Sequence, residues 1–202
     1  MKKVLLLIPA IVLLASCNKK EMQLTRAAFT VEEGIDDHSP IYFETGEDGK
    51  ALNINDANRI AGTNYIVSIQ RDLNVKEVLQ EVKRIKDHKY AEDNMHRDEK
   101  GVYFSYADTL NKHLSVFPIK GLDYAFVGPT SLEKVVYVKD ANNFLVEGQA
   151  VAKDQLLEVI KDKDSLQLGI NKDLPFEVYL QTRIFLVEKE VKDKFLTTDL
   201  VY

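Results

Sequence analysis

One cysteine, Cys17, stands in a chain of 202 residues. No disulfide can form within the chain, so its folded part has to manage without such bridges. The composition allows this: 45% of the residues are hydrophobic, as in globular domains rather than disordered chains. The length suits one domain or two small ones, with enough chain to bury a real core. The formal charge of −5 becomes −7 once Lys2 and Lys3 are left out. An acidic body without a basic stripe excludes a nucleic-acid binder and a polybasic membrane patch. The absence of tryptophan argues against sugar stacking, although tyrosine can substitute.

The start of the chain has its own logic. Met1, Lys2 and Lys3 give a positive start, and residues 4–15 (VLLLIPAIVLLA) carry no charge. A basic start, a short apolar run and small residues after it define a secretory signal. At 1.5 Å per residue that run covers about 18 Å, short of the ~30 Å needed to span a bilayer. Leu14-Ala15-Ser16-Cys17 resembles the lipobox of bacterial lipoproteins. The resemblance implies removal of residues 1–16, diacylglyceryl transfer to the Cys17 sulfur and acylation of the new amino group. It also explains a lone cysteine in an exported chain, and several acyl chains make a stable anchor. Asn18 is not the aspartate associated with retention at the inner membrane, so the expected site is the outer membrane, periplasmic or surface-facing. Residues 17–38 are expected as a lipidated tether. About 20 flexible residues would give it an r.m.s. reach near 25 Å, less if residues 27–31 (AAFTV) add a short strand.

The rest of the chain predicts an α+β fold in two similar halves, 39–128 and 129–202. In the first half, residues 41–44 and 51–54 flank a Gly/Asp turn and read as a hairpin. Residues 65–70 (YIVSIQ) read as a strand. Val75, Val78, Leu79, Val82 and Ile85 then fall on one helical stripe, with Asn74 as its cap. Residues 89–100 are highly charged and read as a loop or exposed helix end. Residues 102–107 (VYFSYA) and 124–127 read as strands, and Gly128-Pro129 breaks the chain.

In the second half, residues 135–138 and 144–147 form a hairpin. A helix follows, with Ala152, Leu156, Val159 and Ile160 on one face. Residues 176–181 (FEVYLQ) read as a strand. Ile184, Val187, Val191 and Phe195 mark another helix, with Glu188/Lys192 and Glu190/Lys194 pairs at i, i+4. Residues 200–202 close as a strand. The parallel between Val67-Ser68-Ile69-Gln70 and Val178-Tyr179-Leu180-Gln181 raises an internal pseudo-repeat. Residues 134–202 resemble the periplasmic domain of the ExbD/TolR family on residues 135–138, residues 144–147 with Gly148, residues 156–160 and residues 178–180. That family's energy coupling uses a membrane helix bearing an aspartate, and residues 4–15 contain no acid. The resemblance therefore implies a small α+β envelope domain that dimerises, or binds a partner or peptidoglycan, and no motor role.

Signatures of chemistry are sparse. His88, Glu92 and His96, at i, i+4 and i+8, would share a face of a continuous helix and with Asp93 could hold a divalent metal. The spacing lacks the glutamate of H-E-x-x-H, and the neighbours read as a solvated surface. Ser131-Leu132-Glu133-Lys134 matches S-x-x-K but precedes a strand rather than opening a helix. Asp162-Lys163-Asp164 starts like a calcium loop, yet Gln167 and Asp173 stand where glycine and glutamate belong. His38 and His113 have no triad partners. Tyr42, Tyr65, Tyr103, Tyr106, Tyr137 and Tyr179 are expected in or beside strands with half-buried rings. The chain thus reads as a non-catalytic tethered lipoprotein without a cofactor, an accessory or structural subunit of an envelope assembly whose partner is an envelope protein or peptidoglycan. The alternatives are a small-ligand or glycan-binding lipoprotein and a metal-dependent hydrolase.

Overall fold

Runs of β-branched and aromatic residues build two six-stranded mixed sheets. The computed structural model describes residues 21–46, 49, 51–92, 94, 95 and 100–202. Cys17, Asp93 and His96 lie outside the described residues. No helix among the described residues is long and apolar enough to cross a membrane.

The first sheet contains β1 (Arg26–Ala27), β2 (His38–Thr45), β3 (Leu52–Asn55), β4 (Asn64–Ile69), β5 (Val102–Asp108) and β6 (His113–Pro118). β2 and β3 form the expected hairpin, with Phe43 opposite Ile54. β4 lies parallel to both β2 and β5. A parallel neighbour needs a crossover, and α1 (Val75–Lys89) supplies it. The stripe of α1 is buried as its spacing predicts: Val75, Val78, Leu79, Val82 and Ile85 are fully inaccessible. The Asn74 side chain caps α1 by accepting the Glu77 N–H at 3.1 Å. Strand β6, antiparallel to β5, is an addition to the strands expected from sequence, because Pro118 argues against a strand there. It ends on that proline at the sheet edge, where a missing N–H is tolerated.

The second sheet contains β7 (Asp123–Ala125), β8 (Val135–Val138), β9 (Asn143–Val146), β10 (Gln149–Ala152), β11 (Gln167–Ile170) and β12 (Thr198–Val201). β8 and β9 form the expected hairpin. β10 extends it through a two-residue turn in which Glu147 and Gly148 have φ of 52° and 83°. Positive φ at both positions is the hairpin geometry that follows strand twist. Glu147 is an unusual occupant of such a turn, which is why its sequence does not announce β10. In α2 (Lys153–Ile160), Leu156 and Ile160 face the core, whereas Val159 is exposed and Ala152 precedes the helix.

Two expectations in this half are corrected. Residues 176–181 (FEVYLQ) are the start of α3 (Phe176–Glu188), and the strand before it is β11. This helix is buried around much of its circumference, at Phe176, Tyr179, Leu180, Thr182, Arg183, Ile184 and Leu186. A helix packed on several sides loses the one-sided apolar stripe that betrays helical period, and its aromatic and β-branched residues imitate a strand. Tyr179 is accordingly helical. The Glu188/Lys192 and Glu190/Lys194 pairs do not share a helix, because α3 stops at Glu188. Lys194 instead reaches Asp164 at 3.5 Å.

Both sheets contain a hairpin, a parallel strand, a helix and a second parallel strand in that order, with β10 and α2 inserted after the hairpin of the second. The correct parallel is between β4–α1 and β11–α3. In both, the helix begins on the sixth residue after the strand ends, at Val75 after Ile69 and at Phe176 after Ile170. The starts of these two helices meet. Asn74 and Pro175 form an antiparallel bridge, Val75 N–H donates to Leu174 O at 2.9 Å, and Phe176 N–H donates to Leu73 O at 2.8 Å. Phe104 of β5 meets Phe176 of α3 edge-on at 5.1 Å. One apolar cluster therefore runs through both halves, and the chain changes sheets between Pro118 and Asp123, ahead of Gly128-Pro129.

Part of the stretch expected as flexible tether is also corrected. Residues 23–32 are sewn onto the body. Arg71 N–H donates to Gln23 O at 2.8 Å, Ala107 N–H to Thr25 O at 2.9 Å, Thr109 N–H to Ala27 O at 2.8 Å and Val116 N–H to Glu32 O at 3.0 Å. β1 pairs parallel with the end of β5. These backbone groups satisfy one another across the sheet instead of being left to solvent.

Candidate functional site

A concavity lies where the chain passes from one sheet to the other. It encloses about 650 Å³, within the size range of small-ligand pockets. The end of β6 gives Phe117 and Pro118, the crossover gives Lys120 and Leu122, and α3 gives Arg183 and Val187. The approach to β12 adds Phe195 and Leu196. Its walls are thus mainly apolar. Charged groups of both signs stand around it: Glu32 and Asp193 against Lys120 and Lys192.

One lining residue, Arg183, belongs to a buried ion pair. Arg183 is 5% exposed and Asp199 is wholly buried. Arg183 Nε donates to Asp199 Oδ2 at 3.0 Å, Nη2 donates to Oδ1, and the Tyr179 hydroxyl donates to Oδ2 at 2.9 Å. This fork-on-fork geometry is the strong form of the interaction. Burial works against the charge on Arg183, but Asp199 outweighs it and holds the guanidinium protonated well above its ordinary range. Behind the pair, Lys86 of α1 donates to Leu122 O and stands 5.3 Å above the Tyr124 ring. Burial lowers the Lys86 pKa to about 8, against the pull of Asp123. Burial also pushes the Tyr124 and Tyr179 hydroxyls upward, so both stay protonated. The cleft can take an apolar molecule with a polar end. The charge of Arg183 is already matched by the Asp199 carboxylate.

The residues singled out from sequence fall elsewhere. α1 ends at Lys89 and Tyr90 caps it, so His88 and Glu92 are not on one helical face; His96 lies outside the described residues. Among the described residues, no three His, Cys, Asp or Glu side chains gather as a metal-binding group. Ser131 sits in a turn, where its hydroxyl accepts the Glu133 N–H at 3.1 Å, and the exposed Lys134 leads into β8. Lys163 of the calcium-like segment is paired with Glu147 at 2.8 Å. His38 faces Ile35 O at 2.7 Å. His113 lies 3.9 Å from Asp108.

Sequence reasoning missed Arg183 and Asp199. The available signal was a single arginine inside a run of Tyr179, Leu180, Ile184, Phe185, Leu186 and Val187. A charge in such a run needs a buried partner. No family model, curated protein or solved structure matches the chain.

Proposed function

We propose that the protein is a membrane-tethered bacterial lipoprotein whose body is a non-catalytic subunit of an envelope assembly. The observation that carries this reading is the path of residues 23–32. They begin a few residues beyond Cys17 and are bonded to both halves of the molecule. Arg26 N–H donates to Glu177 at 3.4 Å and Gln181 donates to Arg26 O at 2.9 Å, so α3 of the second half grips the strap that lies on the first sheet. An anchor at Cys17 would pass force into the whole core rather than into a loose tail. The lipobox residues and the short apolar run before them support the anchor.

The test is crosslinking in intact cells, followed by isolation of the chain under denaturing conditions. The expected result is a reproducible adduct with a defined envelope component, lost in Cys17→Ala. A monomer in mild detergent with no adduct in cells would contradict it. The cleft favours a second reading, a small-ligand-binding lipoprotein. Native mass spectrometry of protein taken directly from cells would then show a discrete added mass, and Leu122→Trp would remove it by filling the cleft.

A further inference from the structure

We infer that the corner formed by residues 70–74 and 171–175 is the face of the body that lies against the bilayer. This rests on the lipoprotein reading and adds an orientation to it. Leu24 pairs antiparallel with Gln70, and Arg71 N–H donates to Gln23 O. Continued, that antiparallel register leads Met22 and Glu21 toward Asp72 and Leu73. Cys17 is four residues before Glu21, a contour of at most about 14 Å. A flexible tether of the whole expected length would have left the body free to face any way; a leash this short does not.

The same corner holds the reciprocal junction of the two halves. Asn74 Nδ2 donates to Lys172 O at 3.0 Å, so the exposed Asp72, Lys172 and Asp173 stand around the exit of the leash. Their charges are mixed, and Arg71 is already 3.9 Å from Glu177. The corner is therefore held at the bilayer by the leash and not by attraction to anionic lipid. The opposite end of this half is marked by Ile60, 64% exposed. Thr63 N–H donates to Ile60 O at 3.1 Å, and Lys89 at the far end of α1 donates to Thr63 O at 2.9 Å. α1 spans about 22 Å between the two ends.

The experiment uses the lipidated full-length product in phosphatidylcholine vesicles that carry a nitroxide quencher on the lipid headgroup. Acylation occupies the Cys17 sulfur, so Asp72→Cys or Ile60→Cys supplies a single thiol for a fluorophore. Quenching at position 72 is expected to exceed that at position 60 by about twofold or more, unchanged by adding anionic lipid or salt. Inserting about 20 Gly/Ser residues between Lys20 and Glu21 should bring both positions to one low level. Equal or reversed quenching in acylated protein overturns the orientation and leaves the lipoprotein reading standing. A Cys17 without acyl chains overturns both.

Discussion

Arg183 and Asp199 are each too polar to be buried alone, and each is tolerated because it has the other. Removing one partner strands a charge. Arg183→Ala should cost about 3–5 kcal/mol in denaturant unfolding, whereas the double change Arg183→Met, Asp199→Leu should recover most of that loss. Lys86 gives a pH signature. Its folded pKa of about 8 lies below the ordinary lysine value of 10.5, so between these values the unfolded chain binds more protons than the folded one. Stability should therefore rise as pH climbs from about 8 toward 10, by about 2 kcal/mol, and Lys86→Met should flatten that rise. Asp108 acts with the same sign in the acid range. The Thr30 hydroxyl, the Asn111 N–H and further donors hold its pKa at about 2, and its contribution is present above the ordinary carboxylate range and lost as pH falls toward 2. The pairings of Arg183 with Asp199, Lys86 with Leu122 and Thr30 with Asp108 were not legible from sequence, because their members are brought together only by the fold. The cap at Asn74 was legible because it acts three residues away.

At the level of elements, α1 and α3 show what sequence period can and cannot reveal. α1 packs one face, so its stripe reads directly. α3 sits between its own sheet, the strap and the first half, so its apolar residues point nearly everywhere and its period vanishes. The hairpins β2–β3 and β8–β9 were readable from their turns, while β10 was hidden behind Glu147-Gly148. The start of α1 serves two purposes: Asn74 caps the helix and also binds Lys172 O across the junction. Asn74→Ala should cost about 1–2 kcal/mol, with Asn74→Ser restoring the cap but not the bond to Lys172. Chemical denaturation of the three proteins separates the two contributions.

Across the whole molecule, two six-stranded mixed sheets are joined where the starts of α1 and α3 meet. The strap binds that pair together. Thr30 donates to Asp108, the Tyr106 hydroxyl donates to Phe29 O at 2.9 Å, and Val31 N–H donates to Tyr106 Oη at 2.8 Å. Asp108→Asn combined with Tyr106→Phe should speed amide exchange at least tenfold across residues 25–32 and leave α1 protected. The α+β class was readable from short apolar runs alternating with one clear helical stripe. The strap was legible only as a possible short strand at residues 27–31 (AAFTV), since residues 23–32 owe their order to backbone bonds with strands far away in the sequence. Intact mass analysis of the protein from its native membrane tests the lipid anchor. The expected mass is that of a chain beginning at Cys17 and carrying a diacylglyceryl group with a further acyl chain on its amino group. A chain that keeps residues 1–16, or carries Cys17 as a free thiol, would contradict it.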